Sequence, residues 1–253
     1  MDYCIETFGL TKDFGSLRAV DTVDLRVERG TFYGFLGPNG AGKSTTIKML
    51  TGLLAPTSGT ARLLGHDLSR DGLAAKQRVG VVPEELCLFE NLTAREYLTF
   101  IGRMYKMPKA VIAERSGELL ALLGLVDAER TLVVEFSHGM KKKLSLAAAL
   151  IHDPDLLFLD EPFEGIDAIA SRTIRTVLER LVGRESTIFL TSHILEIVEK
   201  LCSHVGIIHR GRLVKQGPLA EVAEGNSLEQ AFIEVVGEPE HAATGLSWLE
   251  APG

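Results

Sequence analysis

Gly37-Pro38-Asn39-Gly40-Ala41-Gly42-Lys43-Ser44-Thr45 carries the P-loop spacing: Gly, four residues, Gly, Lys, Ser. The apolar run at 32–36 leads into it and residues 46–50 continue with helical spacing. The stretch therefore reads as strand, glycine-rich loop and helix start. Glycines let the backbone turn so that several N–H groups converge on one point, and the helix aims its positive end there. Lys43 supplies a point charge for outer phosphates, and the Ser44 hydroxyl is placed to ligate Mg²⁺.

Strands and helices alternate outward from this loop. Residues 5–10 and 23–27 read as short strands, with Phe14-Gly15 between them. Phe14 suits stacking on a purine face, which needs no specific hydrogen bond; the alternative is a core aromatic at a strand edge. Residues 61–64 and 79–82 are further strands, and the second stops at Pro83-Glu84-Glu85. Apolar spacing is helical over 93–105 and 110–123, where Thr93 and Glu96 form a capping-box pattern. This strand-free block reads as a helical insertion between two halves of a sheet. Phe136-Ser137-His138-Gly139-Met140 runs through Lys141-Lys142-Lys143 into a helix over 144–151, and the three lysines read as a solvated helix start.

Leu156-Leu157-Phe158-Leu159 suits a strand buried on both faces, and it stops at Asp160-Glu161. Ligands of open α/β sheets bind beyond the carboxyl ends of the strands, which is where these two carboxylates fall. Residues 168–181 are helical, 187–190 form another buried strand ending near His193, and 194–201 are helical again. A hairpin spans 205–215 around Gly211, residues 227–236 form a last helix, and 237–253, with Trp248, read as a loose C-terminal tail.

A chain of 253 residues holds one large domain or two modest ones. Its net charge of −7 argues against general nucleic-acid binding, which leaves a basic footprint. Cys4, Cys87 and Cys202 form no CxxC pair, so they read as buried or half-buried thiols of a reducing compartment. The first residues show no basic region followed by an apolar one, and no apolar run nears the ~20 residues of a membrane span. The expectation is a soluble chain whose link to any membrane runs through a partner.

Phe14, the P-loop, Glu84, Ser137-His138-Gly139, Asp160-Glu161, Asp167 and His193 follow one another in an order that resembles the nucleotide-binding subunit of an ATP-binding cassette (ABC) transporter. The resemblance covers roughly residues 5–219. It implies an α/β fold: a P-loop NTPase core with a mainly parallel sheet and flanking helices, an N-terminal antiparallel β subdomain and a helical signature subdomain. Residues 1–236 would form a single domain, with about 84–152 inserted in a RecA-like core. By the same resemblance ATP and Mg²⁺ are the ligands, and residues 37–45 (Gly37, Pro38, Asn39, Gly40, Ala41, Gly42, Lys43, Ser44, Thr45) hold the phosphates. Phe14 stands at the adenine position, and Ser44, Glu84 and Asp160 serve the metal. Glu161 is the general base, with Lys43 and His193 at the γ-phosphate. Ser137, Gly139 and Asp167 act across a homodimer with shared ATP sites.

Two positions depart from the family pattern. Glu84 stands where Gln is usual, and a carboxylate there ligates Mg²⁺ more strongly while adding negative charge beside the phosphates. The signature reads Phe-Ser-His-Gly-Met in place of Leu-Ser-Gly-Gly-Gln, a variant resembling the ATPases of ABC-2-type exporters with a separate permease. The implied function is ATP hydrolysis powering such a permease from the cytoplasmic face of the cell membrane. The permease would dock near Glu84 and residues 86–123, with Leu86, Leu88 and Phe89 as apolar contacts. The competing class is a soluble ABC ATPase without a permease, acting in translation or on DNA. Its relatives carry two cassettes or a long coiled-coil insertion, which this chain lacks.

Overall fold

The computed structural model describes residues 2–237. The chain begins with β1 (Tyr3–Phe14), β2 (Leu17–Val23), β3 (Arg26–Glu28) and β4 (Phe32–Leu36), and passes through the P-loop into α1 (Lys43–Leu50). β5 (Ser58–Leu63), β6 (His66–Asp67), the short α2 (Gly72–Lys76) and β7 (Val79–Val82) follow. Between β7 and β8 (Leu156–Asp160) lie α3 (Ala94–Met104), α4 (Lys109–Leu122), two short 3₁₀ turns and α5 (His138–Leu150). The chain continues with α6 (Ala168–Val182), β9 (Thr187–Thr191), α7 (Leu195–Leu201) and the hairpin β10 (His204–His209) and β11 (Arg212–Pro218). α8 (Leu219–Val222) and α9 (Leu228–Val236) complete it.

The fold is α/β. Six strands form the central sheet in the order β11-β10-β4-β9-β8-β7, parallel except for β11. All residues of β4, β8 and β9 are buried, because successive side chains alternate between two covered faces. Leu157, Leu159, Ile188 and Leu190 pack with Leu144, Ile174, Leu178 and Val198 from the helices. Phe158, Phe189, Tyr33 and Phe35 face the other way, into the core shared with α1 and the N-terminal strands. Tyr33 stacks on Phe189 with centroids 5.5 Å apart and planes 8° from parallel. A second, antiparallel sheet in the order β2-β1-β5-β6, with β3 also paired to β1, covers that face.

Several expectations need correction. The strand read at 23–27 is two strands, since the chain leaves β2 after Val23 and starts β3 at Arg26. Its hydrophobic alternation is real, with Val23, Leu25 and Val27 all buried, but the turn between two pairings is invisible in that pattern. For Phe14 only the core alternative falls: the ring is 49% exposed, ends β1 beside the hairpin turn at Gly15 and carries Lys12 Nζ 5.3 Å from its centroid. Cys87 is exposed, while Cys4 and Cys202 are buried. The three lysines do not form a solvated face. Lys142 is 2% exposed, because α5 starts at His138 and turns that side chain toward the loop after β8. The reading of the tail, Trp248 included, falls outside the described residues beyond Gly237.

The helical segment is tied down by its own ends. Thr93 accepts from the Glu96 amide and the Glu96 carboxylate accepts from the Thr93 amide, the reciprocal cap expected for α3. Gly102 lets α3 approach α4, since a Cβ there would stand 2.7 Å from Ile112. Among the described residues no helix is long and apolar enough to cross a membrane.

Candidate functional site

The P-loop joins the buried end of β4 to α1 under tight steric control. A Cβ on Gly37 would stand 2.4 Å from the Ile208 carbonyl oxygen, and one on Gly42, at φ +107°, would stand 2.6 Å from the Ala19 carbonyl. Only glycine admits both approaches. Lys43 folds back over the loop and donates to the carbonyls of Gly37 (2.7 Å) and Pro38 (3.2 Å). Ala41 is pinned by its amide to Pro38 and by its carbonyl to Gly211.

A cavity of about 280 Å³ opens over this loop. Asn39, Gly40, Gly42, Lys43, Ser44 and Thr45 line one side, and Glu84, Asp160 and Glu161 the other. Ser44 Oγ donates to Glu84 Oε2 at 3.2 Å, which bridges the loop to the segment after β7. Asp160 ends β8, is 4% exposed and accepts from the Thr191 hydroxyl of neighbouring β9. Glu161 is 8% exposed, and its amide faces the Thr191 hydroxyl at 3.3 Å. His193 Nδ1 lies 3.0 Å from Glu161 Oε2.

Charge in the cavity is one lysine against three carboxylates. Burial pulls the Lys43 proton affinity down, and Glu161, Asp160 and Glu84 each push it back up. Burial raises the Glu161 pKa above the ordinary glutamate value, opposed by the His193 contact and by Lys43. A proton-accepting carboxylate in a walled pocket next to a cation is chemistry suited to drawing a proton from water. Ser44 Oγ and the carboxylates of Glu84 and Asp160 are hard oxygen donors lining the same cavity, which is the donor chemistry Mg²⁺ takes. Among the described residues no three His, Cys, Asp or Glu groups converge to hold a metal, so a cation here would complete its shell from a phosphate ligand and water.

The remaining expected residues stand apart from the cavity. Phe14 is outside its lining, although Ala19 of the same hairpin contributes to it. Ser137 caps α5 by accepting from the Met140 amide, Gly139 lies in the first turn, and Asp167 caps α6 by accepting from the Ala170 amide. Two groups escaped the sequence reading. Thr191 sits between Asp160 and Glu161, and Lys142 is buried behind them; a hydroxyl at the end of a buried strand next to a carboxylate pair was the available signal for the first. A larger apolar cavity of about 500 Å³ lies between β5, the end of α1 and α2, and Lys76 is its one ionisable lining residue.

The profile described as ABC transporter matches residues 20–164, more than half of the chain. The bacitracin transport ATP-binding protein BcrA of Bacillus licheniformis is 41% identical over 227 residues, covering 89% of this chain and 73% of that protein. The daunorubicin/doxorubicin resistance ATP-binding protein DrrA of Streptomyces peucetius is 40% identical over 218 residues, covering 86% and 66%. A solved ATP-binding subunit of an ABC transporter superposes with a TM-score of 0.87 at 30% identity, covering 92% of this chain and 99% of that one. The chain belongs to the ABC transporter family, as one of its ATP-hydrolysing nucleotide-binding subunits.

Proposed function

We propose that this chain is the motor of an exporter: two copies close over two ATP molecules, and closure and reopening drive a separate permease. The observation that carries the reading is the convergence of Lys43, Ser44, Glu84, Asp160 and Glu161 on one cavity, with His193 on Glu161. Residues 37–45 would cradle the phosphates with their amides, Lys43 turning from its loop carbonyls to the outer oxygens. Ser44, Glu84 and Asp160 would hold Mg²⁺, which neutralises charge on the phosphates when bound. Glu161 takes a proton from water. The water oxygen then attacks the γ-phosphorus as the bond to the bridging oxygen breaks, leaving ADP and phosphate. His193 orients Glu161 from its 3.0 Å contact and stands near the transferring group. Phe14, half exposed on its hairpin, would stack on adenine.

Ser137, Gly139 and Asp167 do not reach the cavity of their own chain, which supports their acting on the site of a second copy in a head-to-tail homodimer. Residues 84–152 act as the helical subdomain. A groove of about 190 Å³ lined by Pro83, Cys87, Leu88, Tyr97 and Ile101 lies beside Glu84 and would receive the permease, with Phe89 exposed nearby. The relatives named for bacitracin transport and daunorubicin/doxorubicin resistance favour export, with the chain on the cytoplasmic face of the cell membrane.

Purified protein should hydrolyse ATP with Mg²⁺, and Glu161→Gln should bind ATP, dimerise on it and turn over at least about a hundredfold more slowly. A Glu161→Gln chain that stays monomeric at saturating ATP refutes the shared-site reading. A mild-detergent pull-down from native membranes should bring a multi-spanning partner in equal amount. Recovery with ribosomes or DNA instead refutes the permease and leaves the ATPase chemistry standing.

A further inference from the structure

The first turns of α5 lie directly against the loop that follows β8 in the same chain. A Cβ on Gly139 would stand 3.2 Å from the Gly165 carbonyl, and one on Gly165 would stand 3.1 Å from the His138 ring. One turn further along α5, Lys142 Nζ donates to the Glu164 carbonyl at 3.0 Å. Lys143 Nζ stands 3.6 Å from the Asp167 carboxylate. Positions 138, 139, 142 and 143 share one helix face by their three- and four-residue spacing, and that face touches the loop at 164, 165 and 167.

Lys142 is an expensive way to fill this space. Burying an ammonium is costly unless it is hydrogen-bonded, and a methionine of similar volume carries no such cost. The acceptor it has found is a backbone carbonyl three residues beyond Glu161. That loop starts under strain, because Glu161 has φ +49°, in the left-handed region that a residue with a Cβ disfavours. Such a conformation persists where the surroundings over-determine it. The Thr191 hydroxyl holds the Glu161 amide at the start of the loop, the Glu164 amide returns to the Glu161 carbonyl at 3.4 Å, and Lys142 holds the far side of that turn. Burial lowers the Lys142 proton affinity while Glu164, Glu161, Glu84 and Asp160 raise it, so its charge also faces the carboxylates that Lys43 meets from the P-loop side.

We infer that Lys142 is a positioning residue for hydrolysis: by tethering the Glu164 carbonyl it fixes the 161–167 loop, and with it the direction in which Glu161 faces the phosphate cavity. The inference rests on Glu161 being the proton acceptor. It makes the face of α5 behind Ser137 and Gly139 a mechanical neighbour of Glu161 in its own chain.

The test compares full-length wild type, Glu161→Gln, Lys142→Met and Lys142→Gln. Lys142→Met should lower kcat about tenfold to a hundredfold, the scale of a small misplacement of a reacting group, and leave the calorimetric Kd for ATP within about twofold. Lys142→Gln keeps an N–H donor one bond shorter than the lysine, which regains the Glu164 carbonyl with a small local shift, and should recover kcat to within about threefold of wild type. A kcat for Lys142→Met within about twofold of wild type overturns the inference. So does a Kd that rises in step with the loss of kcat, a Lys142→Gln as slow as Lys142→Met, or a Lys142→Met chain that does not fold, each being the mark of a structural or purely electrostatic role. A wild type that binds ATP and does not turn it over overturns the parent reading instead, and the inference with it.

Discussion

His152 makes the stability of this fold depend on pH in a way that can be isolated. Its ring lies flat on Tyr105, with centroids 3.6 Å apart and planes 6° from parallel. Nε2 sits 3.2 Å from the Val79 carbonyl, which also accepts from Tyr105 Oη at 3.2 Å. Nδ1 is buried without a hydrogen-bond partner, so a second proton there would create a donor with nothing to bond. Burial accordingly pulls the pKa from 6.5 down to about 4. Between those values the unfolded chain binds more protons than the folded one. Stability is therefore full above pH 6.5 and is lost as the pH falls toward 4. The shift sets a ceiling of about 3 kcal/mol, and partial solvent access to the ring brings the expectation to about 2 kcal/mol. His152→Phe keeps a ring on Tyr105 and cannot titrate. The Val79 carbonyl retains the Tyr105 donor, so neutral-pH stability should change by about 1 kcal/mol or less. Urea unfolding of both proteins at about pH 7 and pH 4.5 reads the difference directly. Wild type should lose about 2 kcal/mol more than the variant over that interval, and parallel profiles would refute the argument.

Two further outcomes follow from the phosphate cavity. Glu84→Gln removes one of three carboxylates facing Lys43, so ATP affinity in EDTA should rise about fivefold, or about 1 kcal/mol, and the ratio of affinities with and without Mg²⁺ should shrink by the same factor. An unchanged ratio in titration calorimetry would deny Glu84 a part in the cation site. Gly37→Ala forces a Cβ to within 2.4 Å of the Ile208 carbonyl, so the loop must move. The expected cost is about 1–3 kcal/mol by thermal or urea unfolding, with loss of ATP binding; an unaltered melting temperature refutes the steric account.

The sequence was most legible where chemistry and periodicity coincide. The runs 156–159 and 187–190 announce themselves because a strand buried on both faces is predominantly apolar, and the abrupt polar residues after each mark the ligand-facing end, while the P-loop shows by its glycine and lysine spacing. The Thr93 cap was readable because two side chains satisfy two amides at a fixed spacing. The division of 23–27 between two strands was not, since pairing partners lie far away in the chain while the apolar alternation runs on unbroken. The burial of Lys142 was equally hidden. Three successive lysines read as solvated by composition, and only the approach of the 161–167 loop converts one of them into an interior group. Phe14 could not be assigned to core or surface until the hairpin turn at Gly15 was placed.

The order β4-β9-β8 in the central sheet has a consequence for how the site comes into being. β9 is wedged between the strand that leads into the P-loop and the strand that ends in Asp160, pairing with both. Residues 32–36 must therefore wait for residues 187–191 before they acquire their neighbour on that side. Closing so long a loop is entropically slow, and it is repaid only when the last of the three strands arrives. A nascent chain that has passed the P-loop and β8 still lacks Thr191 and His193, so Asp160 and Glu161 have neither of the partners that orient them. Competence for nucleotide chemistry is in this sense a late event in the synthesis of the domain, withheld until β9 and His193 have followed the P-loop and β8.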